Sequence, residues 1–80
     1  MMATLLKRLD ELTCLLRRSG YYYRRHFNEL YIANSEFKCV LIVNADGSAD
    51  VYLPSWLTGE VRDLLRVLRT ALPNVRVRGV

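Results

Sequence analysis

The dipeptide Asp46-Gly47 lies between two runs of strand-forming residues, Phe37–Asn44 (FKCVLIVN) and Ala49–Leu53 (ADVYL), and it restricts the fold more than any other feature of the chain. A two-residue hairpin turn needs positive φ at its central positions, which Asp-Gly tolerates, so the two runs are expected to pair as an antiparallel hairpin. With Asp46 and Gly47 as the turn, Ala45 faces Ser48, Ile42 faces Val51 and Val40 faces Leu53. Alternation then places Val40, Ile42, Val51 and Leu53 on one face and Phe37, Cys39, Leu41, Val43 and Tyr52 on the other. Both faces are apolar, whereas a sheet with one wet face alternates apolar with polar residues. Each side therefore needs a cover. The Phe37, Cys39, Leu41, Val43 and Tyr52 face, with Trp56 close behind in sequence, is a candidate protein interface.

Leucine spacing supplies helices for the cover. Leu5, Leu9, Leu12 and Leu16 recur at steps of four and three, which predicts a helix over residues 3–19 that stops at Gly20, with Lys7, Glu11, Cys14 and Arg18 on the opposite side. A second helix, capped by Ser55 or Thr58, carries Leu57, Val61, Leu64, Leu65, Leu68 and Leu72 on one side and is ended by Pro73. Between the first helix and the hairpin, Phe27–Ala33 reads as a strand turned back at Asn34-Ser35, although Tyr23, Phe27, Leu30 and Tyr31 also fit a helical stripe. The tail, Val75 to Val80 (VRVRGV), alternates valine with arginine as an edge strand does when charge guards its open face. The expected fold is α+β, one domain over residues 1–80: a helix, a three-stranded antiparallel sheet, a helix and a short C-terminal edge strand.

This order of elements is similar to that of the double-stranded RNA-binding domain. The similarity is one of topology. The start of the second helix, Pro54–Glu60 (PSWLTGE), is apolar and then acidic where that family has a basic, glycine-containing start, so no contact residue is carried over.

Lys and Arg total 12 against 8 Asp and Glu, a net charge of +4, which favours acidic partners. Arginine dominates the basic residues, and its planar fork suits phosphate or carboxylate better than the point charge of lysine. Arg62, Arg66 and Arg69 fall at steps of four and three on the second helix, roughly 130° from its apolar stripe, and form a basic ridge. Arg76, Arg78, Arg24 and Arg25 extend the set of candidate contacts to nucleic acid or to an acidic protein surface. The alternative is a solvated helix face with Glu60 and Asp63 as local counter-charges. Tyr21 to Phe27 (YYYRRHF) mixes rings with Arg24, Arg25 and His26, the combination from which single-strand binders make stacking platforms; a strand burying alternate rings is the competing reading.

Chemistry-bearing motifs are missing. Cys14, Cys39 and His26 lack the spacing that sets two metal ligands on one face, and no glycine-rich phosphate loop or nucleophile–base arrangement occurs. No enzyme activity, metal, cofactor or small-molecule substrate is expected. Two cysteines and the lack of a leader or a membrane-length apolar run point to free thiols and a cytoplasmic setting, with no membrane partner. Two functions remain: a nucleic-acid-binding module using the arginine ridge, and a small protein-binding regulator of the phage or mobile-element type using the apolar sheet face. Homodimerisation is a further means of covering that face, since a chain of 80 residues buries only about 60–65% of its unfolded surface.

Overall fold

The computed structural model describes the backbone of residues 2–80 and the side chains of residues 6–59 and 61–80; the expectations placed on the side chains of Leu5 and Glu60 lie outside the described residues. Helix α1 spans Met2–Arg18, and strands β1 to β4 follow at Tyr22–His26, Glu29–Ala33, Lys38–Val43 and Ala49–Leu53. A 3₁₀ segment, Ser55–Val61, leads into helix α2, Arg62–Ala71, and strand β5, Val75–Gly79, ends the fold. The result is α+β as expected, but the three-stranded antiparallel sheet is corrected to a five-stranded mixed one in the order β1-β2-β3-β4-β5, since Tyr22–His26 adds a strand at one edge and β5 joins at the other.

The leucine stripe of α1 behaves as its spacing predicts: Leu9, Leu12 and Leu16 are buried. The helix stops at Gly20, whose φ of +85° is cheap only without a Cβ. The Tyr21 amide donates to the Leu16 carbonyl at 3.0 Å and the Gly20 amide to the Arg17 carbonyl at 3.2 Å, which uses up carbonyls that the helix end leaves unpaired. Two polar contacts then tie α1 to β1. The Arg17 guanidinium donates to the Tyr23 hydroxyl at 2.8 Å, and Arg25 pairs with Asp10 at 3.0 Å.

Strands β1 to β4 form an antiparallel meander. Within the Tyr21–Phe27 stretch, Tyr22–His26 is a strand, and the strand expected at Phe27–Ala33 begins at Glu29, because Phe27 and Asn28 form the turn. Phe27 has φ +56° in that turn, an uncommon conformation for a bulky residue and one that costs on the order of 1–3 kcal/mol. The β2–β3 loop is longer than an Asn34-Ser35 turn: the Asn34 carboxamide oxygen accepts from the Glu36 and Phe37 amides at 2.8 and 2.9 Å, and Ala33 faces Lys38.

The Asp46-Gly47 hairpin exists, but its register differs by one residue from the expected one. Val43 faces Ala49 and Ile42 faces Asp50, so three residues, not two, make the bend inside the Asn44–Ser48 closure. The Gly47 amide donates to the Asn44 carbonyl at 3.0 Å and Gly47 has φ +90°, the pattern of a type I turn followed by a glycine bulge. Asp46 accepts from the Ser48 amide at 2.9 Å and locks the bend.

One slipped residue exchanges the faces of β4. Cys39, Leu41 and Val43 share their face with Ala49, Val51 and Leu53, and all six are buried. That face is covered by both helices of the same chain, since Leu9, Leu12, Leu16, Leu64, Leu68 and Leu72 join it in one core cluster. The candidate interface of Phe37, Cys39, Leu41 and Val43 is thus corrected to core, and Tyr52 lies on the opposite face.

After β4 the chain turns at Pro54. The α-helix begins only at Arg62, and the Ser55 side chain does not cap it; seven residues of 3₁₀ structure come first. Val61, Leu64, Leu68 and Leu72 are buried, each contributing about 1.5–3 kcal/mol by leaving water. Helix α2 closes before Pro73, and the crossover returns β5 parallel to β4, Ala49 facing Val75 and Tyr52 facing Arg78.

Candidate functional site

Both helices pack on one face of the sheet, and among the described residues no layer covers the other face. Its residues follow from the registers. The middle row crosses all five strands as Arg24, Tyr31, Val40, Tyr52 and Arg78. Beside it run His26, Glu29, Ile42, Asp50 and Arg76 on one side and Tyr22, Ala33 and Lys38 on the other. Tyr22 is 77% exposed and Tyr31 47%. Val40 and Ile42, the apolar residues of β3 on this face, are half-buried. Tyr31, Ala33, Lys38, Val40, Tyr52 and Pro54 line a shallow, mostly apolar trough of about 380 Å³.

Charge is arranged around this floor. Asp50 is 6% exposed, and it is the buried charged residue among those described. Its carboxylate meets Arg76 and Arg78, each at 3.1 Å through Nε, and the Asn44 amide at 3.3 Å. Burial pushes the Asp50 carboxyl up, but the hydrogen bonds of Asn44 and Arg78 and the two guanidinium charges outweigh it, so the group ionises below the ordinary carboxylate range. Arg76 and Arg78 keep about half of their side-chain surface in water, which leaves N–H groups pointing outward. Glu29 is held differently: it accepts from the Tyr31 hydroxyl at 3.3 Å. Four cations (Arg24, Lys38, Arg76, Arg78) thus stand on the open face against two carboxylates (Glu29, Asp50).

The arginines singled out by sequence do not form one surface. Arg24, Arg76 and Arg78 lie on the open face, whereas Arg25 points to the helical side and is spent on Asp10. Arg62, Arg66 and Arg69 are exposed on α2, and Arg69 reaches the edge of the sheet, where it lines a concavity with Asp46, Ser48 and Arg76. Arg66 pairs with Asp63 at 3.4 Å, and Arg69 donates to the Val75 carbonyl at 3.2 Å. Trp56 is 79% exposed on the 3₁₀ segment, away from the core residues once grouped with it. Tyr31, Val40, Ile42, Lys38, Glu29 and Asp50 belong to the site and were not singled out. The Val43–Ala49 pairing, which the three-residue bend sets, places Asp50 there, while Tyr31 and Glu29 follow from the pairing of β2 with β3.

The thiols are separate from this face. Burial pushes the Cys39 thiol up to about 12, so it stays protonated, while Cys14 lies exposed on α1. A second concavity, about 590 Å³, sits on the helical side among Leu6, Leu9, Phe27, Val43 and Ala45. Among the described residues no helix is long and apolar enough to cross a membrane, and no three His, Cys, Asp or Glu side chains gather as metal ligands would. Comparison of the chain with protein-family models, curated proteins and solved structures finds no match, so the open sheet face itself carries the functional argument.

Proposed function

We propose that this chain is a non-enzymatic module that binds single-stranded nucleic acid across the open face of its sheet. The observation that carries the reading is the middle row, the exposed Tyr31 and the half-buried Tyr52 flanking a valine floor with an arginine at each end. Aromatic rings stack on bases of any sequence, and flanking guanidiniums hold the phosphates. A single strand suits the face for a geometric reason. Five strands at about 4.8 Å spacing make a platform roughly 19 Å across. That is broader than the roughly 12 Å major groove of a duplex, whose base faces are in any case stacked away. The arginine ridge of α2 lies on a helix packed against the opposite face and is assigned no direct part.

Fluorescence anisotropy with a labelled hexanucleotide and a blunt duplex tests this. The expected result is low-salt binding of the hexanucleotide that weakens as salt rises, with the duplex bound less well. Arg24→Glu with Lys38→Glu abolishes binding, while Arg62→Glu, Arg66→Glu and Arg69→Glu together leave it largely intact. Absence of binding at low salt, or loss only in the helix variant, overturns the proposal. A second reading, a small protein-binding regulator that self-associates, is favoured by the exposed indole of Trp56; a native mass of twice 9.3 kDa that Trp56→Ala returns to monomer would support it.

A further inference from the structure

We propose that Glu29 is a specificity-determining residue that accepts the exocyclic amino group of the base stacked on Tyr31, giving the face a preference for cytosine over uracil or thymine. The inference rests on the single-strand reading above and adds a base preference to it.

Three observations lead there. Glu29 and Tyr31 lie two residues apart on β2 and face the same way, and the Tyr31 hydroxyl donates to the Glu29 carboxylate at 3.3 Å. A base lying on the Tyr31 ring therefore has a carboxylate at its edge. Second, the two carboxylates of the face differ in what they can still accept. Asp50 is filled by Arg76, Arg78 and Asn44, whereas the described contact of Glu29 is the single bond from Tyr31, and an ionised carboxylate can take about four. Third, both carboxylates fall in one row, with His26, Ile42 and Arg76, while the opposite row of Tyr22, Ala33 and Lys38 has none. With Asp50 neutralised by Arg76 and Arg78, Glu29 repels phosphate from the first row, while Lys38, Arg24 and Arg78 attract it. A strand laid across the sheet keeps its backbone toward Lys38 and turns base edges toward Glu29.

At that edge cytosine offers an N4 amino donor, which suits a carboxylate acceptor, while uracil and thymine place the acceptor O4 there. A hydrogen bond to a charged partner shifts binding at least about tenfold.

The test measures anisotropy with hexanucleotides of cytidine, uridine, deoxycytidine and thymidine at fixed low salt. Wild-type protein is expected to bind the cytosine oligomers at least about tenfold more tightly than the uracil and thymine ones. The ribose and deoxyribose arms read whether a 2′-hydroxyl adds to this. Glu29→Gln, which can donate as well as accept, should shrink the preference to threefold or less without weakening uridine binding. Tyr31→Phe removes the tyrosine–glutamate bond but keeps the ring, and the preference should survive it. If Glu29 merely anchored Tyr31, Glu29→Gln would weaken all four oligomers alike, which overturns the inference. Equal binding of cytosine and uracil by the wild type overturns it too, and leaves stacking intact. Failure of all four to bind instead removes the single-strand reading and this inference with it.

Discussion

Replacing Tyr31 and Tyr52 by alanine, singly and together, gives the sharpest measure of how the open face is used. The tyrosines stand on β2 and β4 in the same row with β3 between them, about 9.6 Å apart by strand spacing. One base held between two rings would need them about 6.8 Å apart, twice the roughly 3.4 Å of a stacked step, so each ring is expected to take its own base. Base–aromatic stacking contributes about 1–3 kcal/mol per base, so each single variant should weaken hexanucleotide binding by about 5- to 150-fold. Independent sites at this distance add to within about 0.5 kcal/mol, and the double variant should therefore show close to the product of the two single losses. The rings are not core, and melting temperatures should fall by only a few degrees. Two results would refute the reasoning. Two single variants that bind like wild type exclude a stacking platform, and a double variant no weaker than either single would mean that one base touches both rings.

Gly47→Ala should lower the melting temperature, because an L-residue in the left-handed region costs roughly 1–2 kcal/mol and about 1 kcal/mol moves a domain of this size by about 4–8 °C. Gly47→Asn should cost less than Gly47→Ala, and an unchanged melt for Gly47→Ala would reject the bulge. The carboxyl of Asp50 ionises lower in the folded chain than in the unfolded one, so its contribution is fully present above about pH 4 and is lost as pH falls through the folded value. In urea titrations, Asp50→Asn should therefore lose less stability than wild type between neutral pH and pH 3; parallel curves would count against the Arg76–Asp50–Arg78 cluster. In thiol labelling, native protein should react once, at exposed Cys14, and a second equivalent should appear only on unfolding, because Cys39 is buried and its thiol is raised to about 12. Two rapid equivalents in the native state would contradict the covered sheet face.

Periodicity made both helices legible, and punctuation made their ends so: Gly20 and Pro73 stop them. The hairpin was legible as a hairpin, but not in register, since Ala45-Asp46-Gly47 can bend as a three-residue loop and Asp46-Gly47 as a two-residue one. The whole pattern of β4 held the deciding clue. Only the longer bend lines Ala49, Val51 and Leu53 with Cys39, Leu41 and Val43 while sending Asp50 outward to meet Arg76 and Arg78. Strand β1 was legible only as one reading of Tyr21–Phe27 and is absent from the expected sheet, because YYRRH shows no apolar–polar alternation and its turn has Phe27 where glycine usually sits. The arginine ridge was placed correctly on its helix. That Arg76 and Arg78 turn to Asp50 on the open face while α2 packs on the other depends on the crossover of β5, and spacing along the chain carries no trace of that.

The parallel pairing of β5 with β4 has a kinetic consequence. The four antiparallel strands are neighbours in sequence and can zip locally, but β5 docks only after residues 54–74 have crossed over and α2 has packed. Strand β5 also has a sheet partner on one side alone. It is expected to join last and to open first, with its amides exchanging hydrogen faster than those of β3. Each opening would carry away Arg76 and Arg78 together and leave Asp50 on the surface with an unbalanced negative charge. One end of the platform would then change from attracting phosphate to repelling it, so the ability to bind follows the local stability of a single edge strand.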